Sequence, residues 1–199
     1  MTRAAIRREV ASIQPFDKQE QIHRIDTLAW IDSGAPLCRT AKPATPPKHL
    51  VSYFAVVDGR HILLVDHKSA QLWLPPGGHV EPEEHPRETV RRELLEELGF
   101  AAEHDITEPL MLTCTATVGL TAGHIDVSLW YVITAPRSQP IKYDEHEFAG
   151  VRWFPYSDVP LHRSDPHLAR FLAKLGSESR VEPSRAASAL VQGRNQWSG

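Results

Sequence analysis

Cysteine is scarce in this sequence, and the two that it contains, Cys38 and Cys114, lie far apart. Two cysteines do not make the disulfide framework of a small secreted protein, and their spacing is not that of a structural zinc site. Histidine is more frequent, with eleven residues, but none belongs to an HExxH motif or to a cysteine–histidine cluster along the chain. The sequence therefore gives a zinc centre little support.

Long apolar runs are also missing. No stretch is apolar enough to span a bilayer, and the polar, charged N-terminus lacks the apolar core of a signal peptide. The net charge of −3 gives no general attraction to nucleic acid or to an anionic membrane. These absences favour a cytoplasmic protein that has neither a membrane nor a nucleic acid polymer as partner. The 199 residues suffice for one domain with a substantial core, plus appendages.

What the sequence does contain is a set of three glutamates at helical spacing. Glu93, Glu96 and Glu97 stand at positions i, i+3 and i+4, which share one face of an α-helix. Like charges at this spacing repel each other and slightly destabilise the helix. A hard divalent cation such as Mg2+ or Mn2+, which takes oxygen ligands, would turn that repulsion into coordination. Arg92 is adjacent to Glu93 and can orient a ligand carboxylate.

The helix that carries these glutamates has clear boundaries. Pro86 suits its first position, and Gly99 is a typical C-terminal stop. An apolar stripe at i, i+4 and i+8 would anchor it on a core: Val90, Leu94 and Leu98. Upstream, Leu72–Pro76 predicts a short strand that runs into a turn at Gly77 and Gly78. Glycines at such a turn let the backbone approach a phosphate or a metal closely.

The stretch Gly78–Phe100 resembles the Nudix box. That pattern is Gly, five residues, Glu, seven residues, Arg-Glu, an aliphatic residue, any residue, Glu-Glu, any residue, Gly, and an aliphatic or aromatic residue. Every position is matched, by Gly78, Glu84, Arg92, Glu93, Leu94, Glu96, Glu97, Gly99 and Phe100. A chance match of this kind is expected in roughly one chain in a million or fewer. The resemblance covers residues 50–175 and implies an α/β fold, the Nudix-type α/β/α sandwich with a mixed β-sheet.

The resemblance also implies a chemistry, the hydrolysis of a diphosphate linked to another moiety, usually within a nucleotide. Metal ions in such a site neutralise the diphosphate and lower the pKa of a bound water. The implied cofactor is Mg2+, with Mn2+ as the alternative. The implied metal ligands, from the firmest to the weakest, are Glu93, Glu97, Glu96, Glu84 and a backbone carbonyl of Gly77 or Gly78. Arg92 would hold the carboxylates in place.

A general base often comes from outside the box in this family. The acidic loop Asp144–Glu147 precedes a strand predicted at Gly150–Phe154 and is the best-placed candidate. We favour Glu147 over Glu145 because it lies nearer the strand. The alternative is a solvated loop that has no catalytic role.

The box does not specify the substrate. The stretch Thr115–Thr117 lacks both the proline of ADP-ribose-specific relatives and the tyrosine of dinucleoside-polyphosphate relatives, and no coenzyme A signature is evident. By elimination we expect a nucleoside or deoxynucleoside triphosphate, cleaved to the monophosphate and pyrophosphate. The alternatives are a nucleotide sugar or other diphosphate, a non-catalytic nucleotide-sensing domain, and a diphosphate isomerase that would use Cys114. The sequence leaves a homodimer open.

The chain is predicted to have three parts: a helical leader and proline-rich linker over residues 1–48, a Nudix domain over 49–176, and a mobile tail over 177–199. The leader helix is predicted over 16–33, with Asp17 and Glu20 in capping-box spacing. Its periodic apolar residues are Ile22, Ile25, Leu28 and Ala29. Packing on the domain is favoured over a substrate cap or a dimer arm.

Alternating and apolar stretches predict the strands of the domain. They lie at Leu50–Val57, His61–His67, Leu110–Val118, His124–Thr134 and Gly150–Phe154. The third and fourth strands are joined by a turn at Gly119–Gly123. A last helix begins after Asp165-Pro166 and ends at Gly176.

The roles of two histidines, His124 and His79, are left open by the sequence. His124 and Asp126 share one face of a predicted strand and are candidates for reading a base or sugar, although ordinary sheet packing is favoured. His79 follows Gly78 directly and is either a phosphate contact or an exposed loop residue.

Overall fold

The computed structural model describes residues 3–41, 45–117 and 123–178. The chain divides into two compact units, Met1–Asp165 and Pro166–Gly199. The predicted proline-rich linker and the turn at Gly119–Gly123 lie partly outside the described residues, and the tail lies outside them from residue 179 onward. None of the described helices is both long enough and apolar enough to cross a membrane.

The first unit contains three α-helices and seven strands. In chain order they are α1 (Arg3–Ser12), α2 (Lys18–Asp32), β1 (Lys48–Asp58), β2 (His61–His67), β3 (Leu72–Leu74), β4 (Gly77–His79), α3 (Pro86–Leu98), β5 (Met111–Ala116), β6 (Ile125–Thr134) and β7 (Phe148–Pro155). The second unit contains α4 (Leu168–Glu178). This helix continues past Gly176, so the prediction that it ends there is wrong.

The seven strands form one mixed sheet in the order β3-β2-β1-β6-β5, with β4 paired to β1 and β7 paired to β2. Among the strands that the structure describes, β1 and β6 pair in parallel, from Lys48 opposite Ile125 to Val57 opposite Thr134, and the other strand pairs are antiparallel. Because β1 is long, its first half pairs with β4 on one side and with β6 on the other. The predicted mixed sheet is confirmed. The strand β4 was not predicted, because two glycines in succession indicate a turn.

One apolar core joins the helices to the sheet. The predicted stripe of α3, Val90, Leu94 and Leu98, is fully buried and packs in the same cluster as Leu50 and Phe54 of β1. Each such side chain contributes about 1.5–3 kcal/mol on burial. Leader residues Ile6, Val10 and Ile31 belong to the same cluster and are also fully buried. The leader therefore packs on the core, and it includes the helix α1, which the sequence analysis missed.

The leader helix α2 buries a face other than the predicted one. Ile22 and Ile25 are 55% and 58% exposed, so their assignment to an apolar core-facing stripe is wrong. Glu20 is buried instead, where its carboxylate accepts hydrogen bonds from the backbone N–H of Phe16 at 2.7 Å and of Leu112 at 3.1 Å. The Asp17 carboxylate caps the helix by accepting from the Glu20 N–H.

Candidate active site

The boundaries of α3 determine which way its glutamates face. Its first residue is Pro86, and the preceding His85 accepts the Arg87 N–H through Nδ1 at 3.2 Å. At the other end, Gly99 has a φ of +73° and donates its N–H to the carbonyl of Leu95. Since the apolar stripe of this helix faces the core, Glu93 and Glu97 are brought to the edge of that core, beside β4.

Arg92 is the centre of a carboxylate network. Its guanidinium donates two hydrogen bonds to Glu84, from Nε at 2.9 Å and from Nη2 at 3.0 Å. Its Nη1 atom donates to Glu93 at 2.6 Å and to Glu96 at 3.3 Å. Two parallel hydrogen bonds between a guanidinium and a carboxylate stabilise the pair and also fix the orientation of one group relative to the other. Arg92 therefore orients three of the predicted metal ligands at once.

Glu84 is held as an ionised carboxylate. Besides Arg92, it accepts hydrogen bonds from the hydroxyl of Thr89 at 2.8 Å and from the backbone N–H of Glu81 at 3.2 Å. Burial works against ionisation, but these hydrogen bonds outweigh it and lower the pKa of Glu84 below its ordinary value. The hydrogen bond to Glu84 is also the main reason that the pKa of Arg92 is raised.

Glu93 and Glu97 have the opposite electrostatic environment. Glu97 is only 5% exposed, and burial, together with the charges of Glu93 and Glu147, raises its pKa to about 9. Its one described hydrogen bond is accepted from the Gly77 N–H at 3.0 Å. Burial also raises the pKa of Glu93, although Arg92 opposes the shift. Carboxylates that are buried together in this way gain strongly from a bound cation.

The two glycines before α3 are needed for this close packing. A Cβ atom on Gly78 would lie 1.8 Å from Oε1 of Glu93, and a Cβ atom on Gly77 would lie 2.2 Å from the carbonyl oxygen of Ser52. At Gly77 the nearest neighbour is backbone, so no side chain fits, whereas at Gly78 a side chain would force the carboxylate end of Glu93 to move. This gives a physical reason for the paired glycines next to the acidic helix face.

Glu147 lies on the loop before β7 and completes the cluster. Its side chain is 44% exposed, and its Oε1 atom is 3.3 Å from Nε2 of His67. Its negative charge contributes to the raised pKa of both Glu93 and Glu97, so it lies within electrostatic reach of them. The structure thus gathers the predicted residues Glu84, Glu93, Glu96, Glu97, Glu147, Arg92, Gly77 and Gly78 into one region. Their individual roles stay predictions.

A family model described as the NUDIX domain matches residues 48–175 of this sequence. The chain belongs to the NUDIX domain family. The resemblance read from the box is therefore confirmed at the level of the family, and so is the predicted fold. Binding of divalent metal ions is typical of this family.

Relatives of this Nudix chain were found among curated proteins and among solved structures. A protein of Bacillus subtilis (strain 168) named "Putative 8-oxo-dGTP diphosphatase" is 47% identical over 45 residues, which are 23% of this chain and 30% of that protein. The match thus spans less than a third of that relative.

Solved structures share the fold. A MutT NUDIX hydrolase from Burkholderia pseudomallei is 28% identical with a TM-score of 0.50, over 57% of this chain and 87% of that one. An Ap4A hydrolase binary complex from C. elegans is 18% identical with a TM-score of 0.54, over 66% and 97%. The NUDIX domain of Shewanella oneidensis NrtR, complexed with ADP ribose, is 19% identical with a TM-score of 0.52, over 65% and 86%. The last two show a common fold alone.

The Nudix sheet also carries a second cluster, which the sequence analysis did not find. His49, His79, His124 and Asp126 each offer one ligand atom, and these four atoms lie within 4.8 Å of one another. His49 is fully buried and His124 is 7% exposed. Burial, with a smaller contribution from the charge of Arg39, lowers the pKa of His79 to about 3. His79 is therefore a largely buried neutral residue of β4 and not an exposed loop residue, and its ligand atom lies close to those of His49, His124 and Asp126.

No spacing along the chain could have indicated this second cluster. Its residues come from β1, β4, β6 and the position just before β6, and the pairing of β1 with both β4 and β6 brings them together. The usable signal was weaker: His124 and Asp126 are at i and i+2 of one strand face, a pair that needs a partner from a neighbouring strand. The expectation that zinc has little support was based on linear motifs. The structure brings together potential ligands that form no linear motif.

Proposed function

We propose that this chain is a metal-dependent Nudix hydrolase that cleaves a diphosphate linkage in a nucleotide. The favoured substrate is a nucleoside or deoxynucleoside triphosphate, which would yield the monophosphate and pyrophosphate. The observation that carries the proposal is the burial of Glu97 within reach of the charges of Glu93 and Glu147, which raises its pKa to about 9. Three carboxylates assembled at such an electrostatic cost are typical of a site that binds a cation.

The residues present fit a Mg2+ site. All of the donors are oxygen atoms, which Mg2+ prefers, and Gly78 leaves the carboxylate of Glu93 the space that a side chain would fill. Glu93 and Glu97 would be the principal ligands, Glu96 and Glu84 would assist, and a carbonyl of Gly77 or Gly78 would complete the set. A bound Mg2+ supplies neutralisation of the diphosphate charge and lowers the pKa of a coordinated water.

The side chains of the protein would perform the remaining steps. Arg92 would hold Glu84, Glu93 and Glu96 in fixed orientations through its four hydrogen bonds to their carboxylates. Glu147 would accept the proton of the attacking water as the water oxygen bonds to phosphorus and the bridging P–O bond breaks, so that the leaving phosphate or pyrophosphate carries away the electron pair. Its partial exposure suits this role, because a general base must reach both water and substrate.

The substrate class rests on likeness and elimination. The Bacillus subtilis relative is named for a deoxynucleoside triphosphate. The Burkholderia pseudomallei structure is a MutT NUDIX hydrolase, and the match covers 87% of its length. The name of the first supports a triphosphate, and the second supports the Nudix hydrolase class. A nucleotide sugar or other diphosphate is the second candidate, and a non-catalytic nucleotide sensor is the third.

A diphosphate isomerase is the least favoured alternative. Cys114, its candidate proton donor, lies 3.5 Å from the hydroxyl of Thr27 on the leader helix α2, and burial raises the pKa of its thiol. Its backbone N–H also donates to His23 of the same helix. The described contacts of Cys114 are thus with the leader and not with the carboxylate cluster.

A substrate panel tests the proposed function. Nucleoside and deoxynucleoside triphosphates, 8-oxo-dGTP, nucleotide sugars and dinucleoside polyphosphates would be incubated with Mg2+, and the products would be separated by chromatography. Pyrophosphate from triphosphates is expected, with turnover reduced in Glu97→Gln but retained in Glu88→Gln, an exposed glutamate of the same helix. Turnover of nucleotide sugars alone would refute the substrate class. Binding without any turnover would favour the sensor.

A further inference from the structure

The second cluster occupies one face of the sheet. His49 on β1 is directly opposite Asp126 on β6, and His79 on β4 is opposite Val51, two residues beyond His49. Side chains alternate between the faces of a strand, so these positions all point the same way. The neighbouring Leu50 packs in the core cluster with the stripe of α3. The cluster therefore faces away from that stripe.

Three polar atoms in this cluster are buried without a hydrogen bond. Among the described residues, Nε2 of His49, Nε2 of His79 and Oδ1 of Asp126 find no such partner. Buried polar groups in native proteins are nearly always satisfied, and those that are not call for a ligand, a water or an ion. Here the three atoms belong to residues whose ligand atoms lie within 4.8 Å of one another.

The hydrogen bonds on the far side of two rings indicate which nitrogen is free. Nδ1 of His49 lies 2.8 Å from the carbonyl oxygen of Pro46, and because a carbonyl only accepts, Nδ1 carries the proton. Nδ1 of His124 lies 3.2 Å from the hydroxyl of Thr117, which can accept a proton from Nδ1 while it donates its own proton to the His124 carbonyl. In that tautomer each ring presents the Nε2 lone pair to the cluster, as in metal-binding histidines that are held by a second hydrogen bond.

The lone pairs face an acceptor. Oδ1 of Asp126 is 3.3 Å from Nε2 of His49 and 3.2 Å from Nε2 of His124. Without a cation, these contacts join acceptor to acceptor. One additional proton would satisfy one of the two contacts and would leave the other ring and His79 unpaired. A single cation would satisfy all four residues.

We propose that His49, His79, His124 and Asp126 form a structural zinc site, separate from the carboxylate cluster of the box. Imidazole and carboxylate together suit Zn2+, whereas Mg2+ favours oxygen donors alone. With Zn–N distances near 2.0–2.1 Å, the ligand atoms of a tetrahedral site are about 3.3 Å apart. The two distances to Asp126 match that edge. Four protein ligands close the coordination sphere, as in structural sites.

The proposed zinc would also stabilise the backbone beside the box. His79 is the last residue of β4, whose first residue, Gly77, donates its N–H to Glu97. The carbonyl of His79 accepts from Nη2 of Arg92 at 3.4 Å. A metal that ties His79 to β1 and β6 would therefore hold β4 in the position that the box carboxylates need.

Metal content tests the proposal directly. The full chain would be expressed with added zinc and freed of loose metal by dialysis, and zinc per chain would be measured by mass spectrometry and by release to a coloured chelator. About one zinc per folded chain is expected from a four-ligand closed site. Asp126→Asn and His124→Gln should hold less than about a tenth of that amount. His146→Gln, on the exposed loop before β7, should keep the full content.

Further variants keep the result decisive. If His124→Gln does not fold, His124→Cys, which retains a zinc ligand, should fold and restore the metal content. Cobalt-substituted wild type should show the visible bands of tetrahedral Co2+, and Asp126→Asn should not. Glu97→Gln should keep its zinc although it loses turnover, so that failure of the hydrolase proposal and failure of this one are distinguishable. A folded wild type without zinc, or ligand variants with undiminished zinc, would overturn the proposal.

Discussion

Replacing Glu97 by glutamine should make the Mg2+-free protein more stable while it removes the activity. In the folded protein, burial and the charges of Glu93 and Glu147 raise the pKa of Glu97 from 4.5 to about 9. Between pH 4.5 and pH 9, folding therefore takes up a proton. The contribution of the neutral carboxyl to stability is complete below pH 4.5, declines progressively as the pH rises, and is fully lost once the pH has passed 9. Glutamine is neutral at every pH and removes this loss.

The size of the effect follows from the linkage between proton binding and folding. Each pH unit between 4.5 and the working pH costs about 1.4 kcal/mol, so the loss at pH 7 is about 3 kcal/mol. Glu97→Gln should therefore exceed wild type by up to about 3 kcal/mol in free energy of unfolding at pH 7, and should equal it near pH 4. The glutamine oxygen can still accept the N–H of Gly77, so that hydrogen bond need not be lost.

Urea unfolding at a series of pH values, in buffer without Mg2+, measures this difference. Glu88→Gln is the matched control, because Glu88 lies on the same helix but is exposed and pairs only weakly with Arg91. Saturating Mg2+ should narrow or reverse the advantage of the Glu97 variant, since only wild type keeps the full ligand set. A variant that is less stable than wild type at pH 7 without Mg2+, or a stability difference that does not change with pH, would refute the reasoning.

Three further substitutions test the site. Gly78→Ala would place a Cβ atom against Glu93, so we expect a loss of about 1–3 kcal/mol in stability and weaker Mg2+ affinity, measured by urea unfolding and titration calorimetry. A lysine in Arg92→Lys cannot form the paired hydrogen bonds to Glu84, so the free energy of unfolding should fall by about 2 kcal/mol and turnover should fall as well. Unchanged kinetics would contradict the orienting role. Glu147→Gln should lower turnover about 10²-fold or more, measured by steady-state kinetics; near-normal turnover would exclude Glu147 as the base.

The box helix could be predicted from the sequence because its determinants are local. A proline at the first turn and an apolar stripe at i, i+4 and i+8 lie within one helix of thirteen residues, and the glycine that ends it follows directly. The same stripe orients Glu93 and Glu97, so their position beside the glycine pair follows from helix periodicity. The hairpin of β1 and β2 is local in the same sense, since the chain reverses at Gly59 with a φ of +57°.

Features that depend on distant partners could not be predicted. The leader helix α2 turns Glu20 inward and Ile22 outward because the Glu20 carboxylate receives the N–H of Leu112, 92 residues away. Periodicity counts apolar residues and does not include such a hydrogen bond. The histidine cluster has the same cause, since it depends on the register between β1 and both of its neighbours.

The three residues of β4 connect the two proposed metal sites, and this sets the order in which they must be tested. Gly77 donates its N–H to Glu97, Gly78 leaves room for Glu93, and His79 offers its imidazole to the histidine cluster and its carbonyl to Arg92. The box offers oxygen donors alone, whereas the histidine cluster offers three imidazoles and one carboxylate, so the two sites should select Mg2+ and Zn2+ respectively. Because β4 is common to both, loss of zinc should lower turnover even when every box carboxylate is intact. Loss of Mg2+ should leave the zinc in place. A preparation with low activity is therefore informative about the box only after its zinc content is known.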